Sequence, residues 1–254
     1  MDYDRLVSTT ADVGVLLIKN GAEISRAEES MRRIFLAYGV EQGEVFAIPT
    51  FISISCSTPS GRPVTAIRRI PSRRVDMTRV DLANSLCRRV CRQKPDFSTV
   101  NRELRKISAR RPFPFPAQIA GFAVVAFAFT LFYGGSFADA LVAMVCGAVT
   151  KPVLRLLEKL RSNLFFLNVA ASFVTAAVAL TFAHFFVYLS YDKIIIGALM
   201  NLVPGIAITD FMRDVIAGDL ISSVLRFAES MMIAAAIAIG AGIALTATRM
   251  LWGV

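Results

Sequence analysis

From residue 112 onward the chain is almost continuously apolar, and that block dictates the class of fold. Residues 112–254 carry 8 Lys/Arg and 7 Asp/Glu, whereas residues 1–111 carry 20 and 12. The whole chain of 254 residues is 55% hydrophobic with a mean hydropathy of +0.58, too apolar for an ordinary soluble domain. The sequence therefore predicts an α-helical integral membrane protein with an N-terminal cytoplasmic α+β domain. The boundary falls at 111/112, giving a cytoplasmic domain of residues 1–111 and a transmembrane domain of residues 112–254. Net charge is +8 in the first part and +1 in the second, so the pI of about 9.8 belongs to the first part. Set beside so apolar a partner segment, that charge argues against nucleic acid as the ligand.

A membrane span needs about 20 apolar residues. Five are expected, at roughly 117–133, 136–153, 164–189, 193–209 and 228–250. Pro112, Pro114 and Pro116 mark the entry, with Phe113 and Phe115 as interfacial aromatics. The connecting charges set the orientation. Arg102, Arg105, Lys106, Arg110, Arg111, Lys151, Arg155, Lys159, Arg161, Arg213 and Arg226 fall on one side, and Lys193 and Arg249 on the other. By the positive-inside rule the N-terminus is cytoplasmic and the C-terminus outside. In the last span Ala236/Gly240 and Ala238/Gly242 have small-xxx-small spacing, suited to close approach of a helix of this chain or of another subunit.

In the first domain Leu6, Val13, Leu16 and Leu17 have helical spacing, with Gly21 as the stop. Ser25 to Glu28 reads as a capping box opening a helix from Arg26 to Tyr38, its apolar face made by Met31, Ile34, Phe35 and Tyr38. From Glu44 the period changes to two, with Ile52, Ile54 and Cys56 alternating with serines. After the turn Pro59-Ser60-Gly61 a second strand runs from Val64 to Ile70. Thr78 to Asp81 reads as another capping box, its helix ending near Pro95, and a last helix covers Ser98 to Ala109. Arg68, Arg69, Arg73 and Arg74 suit a phosphate or acidic lipid, or equally a solvated edge that discourages strand pairing.

Several chemistries lack their residues. A single histidine, His184, leaves no two-histidine zinc site, and neither a metal nor another cofactor is expected. No G-x-S-x-G, P-loop or G-x-G-x-x-G motif occurs. Cysteines 56, 87, 91 and 146 form no C-x-x-C pair and are expected reduced. The run Val13 to Ile18 is too short for a signal peptide.

The candidate site residues lie around the fourth expected span. Asn201, Pro204 and Gly205 interrupt it, and a break at membrane depth frees backbone polar groups for protein, water or a ligand. A packing kink is the plainer reading. Beyond it Asp210 and Asp214 are one helical turn apart, and Arg213 offers a fork to a carboxylate, unless the group is a salt-bridged surface helix. Asp139 follows the turn between the first two spans and is the remaining candidate.

Five stretches carry a resemblance. Asn20-Gly21-Ala22-Glu23-Ile24-Ser25-Arg26-Ala27-Glu28 and Ala47-Ile48-Pro49-Thr50 resemble the start of the threonine/serine exporter family. Asn201 to Gly205, Ile208-Thr209-Asp210 and Ala217-Gly218-Asp219-Leu220-Ile221-Ser222 are similar to its second signature. The resemblance covers nearly the whole chain. It implies a secondary transporter subunit of the bacterial inner membrane that exports small amino acids (threonine and serine) or a dicarboxylate such as succinate. It further implies a half-size member that works with a second small membrane subunit or as a homo-oligomer, in contact with membrane lipid. Two other classes remain open on the residues alone. One is a membrane-anchored enzyme using Glu23, Glu28 and Arg26 for acid–base chemistry; the other is a regulatory or scaffold membrane protein.

Overall fold

The computed structural model describes residues 1–159 and 163–252; the expected topology charge Arg161 lies outside them. The chain divides into two compact units, Met1–Arg111 with Thr209–Arg226, and Pro112–Ile208 with Phe227–Val254.

The first unit opens with α1 (Tyr3–Lys19), whose N-terminus is capped by Asp2 accepting from the Arg5 amide at 3.0 Å. It stops at Asn20 and Gly21, and Gly21 has φ +96°, a conformation that favours glycine. Then come α2 (Ile24–Ala37), β1 (Gly43–Ile48), β2 (Phe51–Ser57), β3 (Pro63–Arg69), α3 (Met77–Gln93) and α4 (Phe97–Ala109). The strands form an antiparallel sheet of order β1-β2-β3, with Ile54 opposite both Val45 and Ala66. Ile52, Ile54 and Cys56 are buried and the intervening serines are not, so the period-two pattern marks the core face. Leu6, Leu17, Ile24, Met31, Phe35 and Leu86 complete this core, all nearly inaccessible to solvent. Burying each such side chain contributes about 1.5–3 kcal/mol.

Both capping boxes are corrected. The cap of α2 is Glu23, with Ser25 already inside the helix, and Glu28 does not return to the cap. Its carboxylate instead accepts from the Ala47 amide at 2.7 Å, filling an outward N–H of edge strand β1. The cap of α3 is Asp76, accepting from the Arg79 amide at 3.1 Å, so Thr78 lies within the helix. In both places a group outside the four-residue pattern takes the position that the pattern assigns. The stretch from Glu44 to Ser57 is a hairpin of two strands, turning at Pro49-Thr50. Of the basic run, Arg68 is committed to α1, donating to Asp12 at 2.9 Å and Ser8 at 2.8 Å. Among the described residues all four cysteines are free.

The second unit is built on α5 (Phe115–Phe132), α6 (Phe137–Lys159), α7 (Leu164–Phe185), α8 (Tyr191–Leu199), and the apolar length of α10 (Leu220–Trp252); α9 (Gly205–Ala217) precedes α10. Among the described residues α5, α6, α7 and α10 are the four helices long and apolar enough to cross a membrane. The expected fourth span, 193–209, is instead two shorter helices, α8 and α9, parted at residues 200–204. Pro152 does not end α6, which continues to Lys159, and α10 begins eight residues before the expected 228. Small residues let the helices close up. A Cβ at Gly197 of α8 would fall 2.0 Å from Thr130 Oγ1, and one at Gly240 of α10 would fall 2.2 Å from the Val169 carbonyl. The Ala236/Gly240 face therefore packs within the chain, whereas Gly242 has open space. His184 stacks on Trp252, ring centroids 4.3 Å apart.

Candidate functional site

In the first unit the segment from Thr209 to Arg226 lies against the start of α2, and its charges sort into two groups. The buried group centres on Arg226. Its Nη1 donates to Asp210 Oδ2 at 2.7 Å, and its Nε lies 3.1 Å from Asp214 Oδ2 without hydrogen-bond alignment. A longer contact of 3.5 Å runs from Nη2 to the Ala22 carbonyl. The side chains of Arg226, Asp210 and Asp214 are only 6%, 10% and 1% exposed. Two carboxylates share one guanidinium because Asp210 and Asp214 are a turn apart on α9 and present the same face. Burial pushes the Asp214 carboxyl above its ordinary range against the pull of Arg226, and the Asp210 and Asp219 charges add to the rise.

The exposed group centres on Glu23. Its carboxylate is paired on one side with Arg213 and on the other with Arg26 at 3.2 Å. Glu23 is largely buried, while the Arg213 and Arg26 side chains are 57% and 69% exposed. One carboxylate between two solvent-facing guanidiniums leaves cationic capacity for a further carboxylate. Nearby on α2, burial also raises the Glu28 carboxyl, opposed by its bond from Ala47 and by Arg32.

The candidates thus fall into two places. Asp210, Arg213 and Asp214 are brought together in the first unit, but Arg213 turns to Glu23 and the pair of aspartates takes Arg226 instead. Asn201, Pro204, Gly205 and Asp139 belong to the second unit. Asn201 sits in the break between α8 and α9, its Nδ2 donating to the Phe122 carbonyl of α5 at 3.0 Å and the Ala198 carbonyl at 3.2 Å. Pro204 offers its carbonyl to the Ile208 amide at 3.0 Å, and Gly205 starts α9. Asp139 accepts from the Ser136 amide and hydroxyl, both at 2.8 Å, and from the Ser190 amide at 2.9 Å, tying the start of α6 to the start of α8. Sequence reading assigned Arg226 only to topology. The signal available is a cation near the start of a long, mainly apolar helix, a position that calls for a partner.

Three separated stretches meet in this one unit. Ala22 and Glu23 of the first contact Arg226 and Arg213, Glu28 holds Ala47 of the second, and Asp210 and Asp219 of the third face them. Ala22, Glu23, Glu28, Ala47, Asp210 and Asp219 belong to stretches on which the family resemblance rests, whereas Asn201 to Gly205 and Ile208 of the same resemblance lie in the second unit. The family described as "Putative threonine/serine exporter" matches residues 8–248. The chain is similar to the "Probable threonine/serine exporter" of Mycobacterium tuberculosis (strain ATCC 25618 / H37Rv), 21% identical over 239 residues, covering 93% of this chain and 45% of that protein. It is likewise similar to the "Threonine/serine exporter" of Corynebacterium glutamicum, 21% identical over 253 residues, covering 97% of this chain and 52% of that one. The chain spans about half the length of these two relatives. No solved structure matches it significantly. A match over residues 8–248, nearly the full length, identifies the chain as a member of the threonine/serine exporter family.

Proposed function

We propose that this chain is a secondary exporter subunit of the bacterial inner membrane that moves threonine or serine outward. The observation that carries the reading is the Glu23 carboxylate, within the family's first stretch, held between Arg213 and Arg26. An incoming amino acid can exchange into this pair. Its carboxylate takes the Arg213 fork, and the Glu23 carboxylate, released from Arg213, accepts the substrate ammonium. Each charge keeps an opposite partner throughout, which lowers the cost of desolvating both. A dicarboxylate such as succinate has no ammonium to offer Glu23, so the pairing favours the zwitterion. Arg226, through Asp210, Asp214 and the Ala22 carbonyl, positions α9 against the start of α2.

The break at Asn201 to Pro204 supplies the membrane part of the path, where backbone groups freed from helical pairing face a polar solute. The distribution of connecting charges supports a cytoplasmic N-terminal unit and an external C-terminus. A second small membrane subunit, or a second copy of this chain, acts with it in the transporter, as the family resemblance implies. The test is efflux from cells preloaded with a labelled threonine-containing dipeptide or with succinate, with and without this chain and its partner subunit. Faster loss of threonine, with succinate unchanged, is the expected result. Faster loss of succinate alone overturns the zwitterion assignment, and no change in either overturns the exporter reading.

A further inference from the structure

Away from the Arg226 cluster, the first unit has an open cavity in the groove between α1 and α4. It encloses about 790 Å³ and is lined by Arg5, Ser98, Asn101, Arg102, Arg105 and Lys106, with Phe97 and Ala109 as its apolar wall. Four of these residues are cationic and none is acidic. A second cavity of about 550 Å³ shares Asn101, Arg105 and Ala109, so the groove continues along α4 towards Leu104, Leu16 and Asp12.

The local sequence explains the lining. Ser98, Asn101, Arg102, Arg105 and Ala109 recur at spacings of three and four, so they share one face of α4, while Val100, Leu104 and Ile107 are buried in the core. Asn101 Nδ2 reaches Thr9 Oγ1 at 3.4 Å, holding the base of the groove to α1. Carboxylates that neutralise part of this charge stand outside the lining: Asp2 pairs with Arg5, Glu103 with Lys106, and Asp96 accepts from the Ser98 amide and hydroxyl and faces Arg5. Arg102 and Arg105 form no salt bridge with a carboxylate among the described residues. A concave surface with this excess of guanidinium, two neutral hydrogen-bonding side chains and an apolar wall fits a phosphate ester that carries a hydrocarbon.

We propose that the α1–α4 groove binds the headgroup of an acidic phospholipid. Arg102 and Arg105 grip the phosphate, the Ser98 Oγ and Asn101 Oδ1 atoms, whose donor groups turn to Asp96 and Thr9, accept from the headgroup hydroxyls, and Phe97 and Ala109 meet the glycerol and upper acyl carbons. The apolar wall selects lipid over a free phosphate. Ala109 also precedes the first residue of the apolar helix α5 by only six positions in the chain.

The experiment uses the full chain in a neutral detergent, titrated with dihexanoyl-phosphatidylglycerol, dihexanoyl-phosphatidylcholine and inorganic phosphate, with bound ligand read by native mass spectrometry. The anionic lipid is expected to bind at least roughly tenfold more tightly than the choline lipid, which carries no net negative charge, and than inorganic phosphate, which has no hydrocarbon for Phe97 and Ala109. Arg102→Gln with Arg105→Gln is expected to weaken binding roughly tenfold or more, since each surface cation adds about 1 kcal/mol to anionic-lipid attraction. Arg88→Gln with Arg92→Gln removes the same charge from exposed positions of α3 and is expected to leave it within about twofold. Thermal melting establishes that both variants are folded. Equal weakening by the two pairs means bulk attraction and overturns the site. Equal binding of the choline lipid, or of inorganic phosphate, overturns the assignment to an acidic headgroup.

Discussion

Arg226 Nη1 lies 2.7 Å from Asp210 Oδ2 where both side chains are nearly sealed from solvent, and the same guanidinium also stands beside Asp214. A buried cation shared by two carboxylates contributes little net stability over an apolar replacement, but breaking it is costly. Arg226→Met leaves two uncompensated carboxylates and is expected to destabilise the chain by about 3–5 kcal/mol. The triple variant Arg226→Met, Asp210→Asn, Asp214→Asn recovers much of this loss. Thermal unfolding in detergent measures both, and a triple variant no more stable than the single one refutes the shared-cation account.

Asp214 gives a pH dependence with a definite sign. Its folded pKa is raised above the ordinary 3.8, burial being the largest cause. The folded state therefore binds this proton more tightly than the unfolded state. The associated stability is present below the ordinary value and is lost as pH rises through the raised one. Asp214→Asn is accordingly expected to be at least as stable as the parent at pH 7, with the advantage shrinking as pH falls towards 3.8. A variant that is less stable than the parent at pH 7 contradicts the sign.

Gly197 is the point at which α8 meets α5. An added Cβ would lie 2.0 Å from Thr130 Oγ1 and 2.6 Å from the Thr130 backbone nitrogen, which cannot step aside. Gly197→Ala is expected to cost about 1–3 kcal/mol or more by overpacking. Gly242→Ala, with nothing within 4 Å of its Cβ, is expected to change stability by less than about 0.5 kcal/mol. Melting temperatures of the two variants side by side decide this.

Glu28 serves strand β1 rather than its own helix terminus. Glu28→Gln keeps a carbonyl acceptor for the Ala47 amide and is expected to be nearly neutral. Glu28→Ala leaves that half-buried donor unmet and is expected to cost about 1–3 kcal/mol. Faster hydrogen exchange at the Ala47 amide in the alanine variant alone is the specific readout.

The parts of this molecule that sequence reading reached are those written in local periodicity. Ile52, Ile54 and Cys56 announce a half-buried strand because the core lies on one side of the sheet, and α5, α6 and α7 announce themselves by length and apolarity. Helix starts were less legible. Asp76 caps, and Glu23 takes the cap position without a side-chain bond, from outside the Ser/Thr patterns that suggest Thr78 and Ser25, and the pull of Ala47 on Glu28 exists only once the hairpin has folded. The site was half legible. Asp210 and Asp214 share a face by spacing alone, but their partner Arg226 is 16 residues beyond Asp210, and Ala22 is 204 positions from Arg226. No periodicity spans such a separation, so the pairing of Arg213 with Glu23 and of Arg226 with the aspartates emerges only from the fold.

The account turns on the exchange of Glu23 from Arg213 to substrate, and threonine efflux from preloaded cells tests it. Arg213→Ala, Glu23→Ala and the double variant would be compared at matched levels of inserted protein. Two groups acting as one unit lose function together, so each single variant is predicted to slow efflux by roughly tenfold or more, with the double variant no slower. Efflux at the parental rate in either single variant contradicts the account.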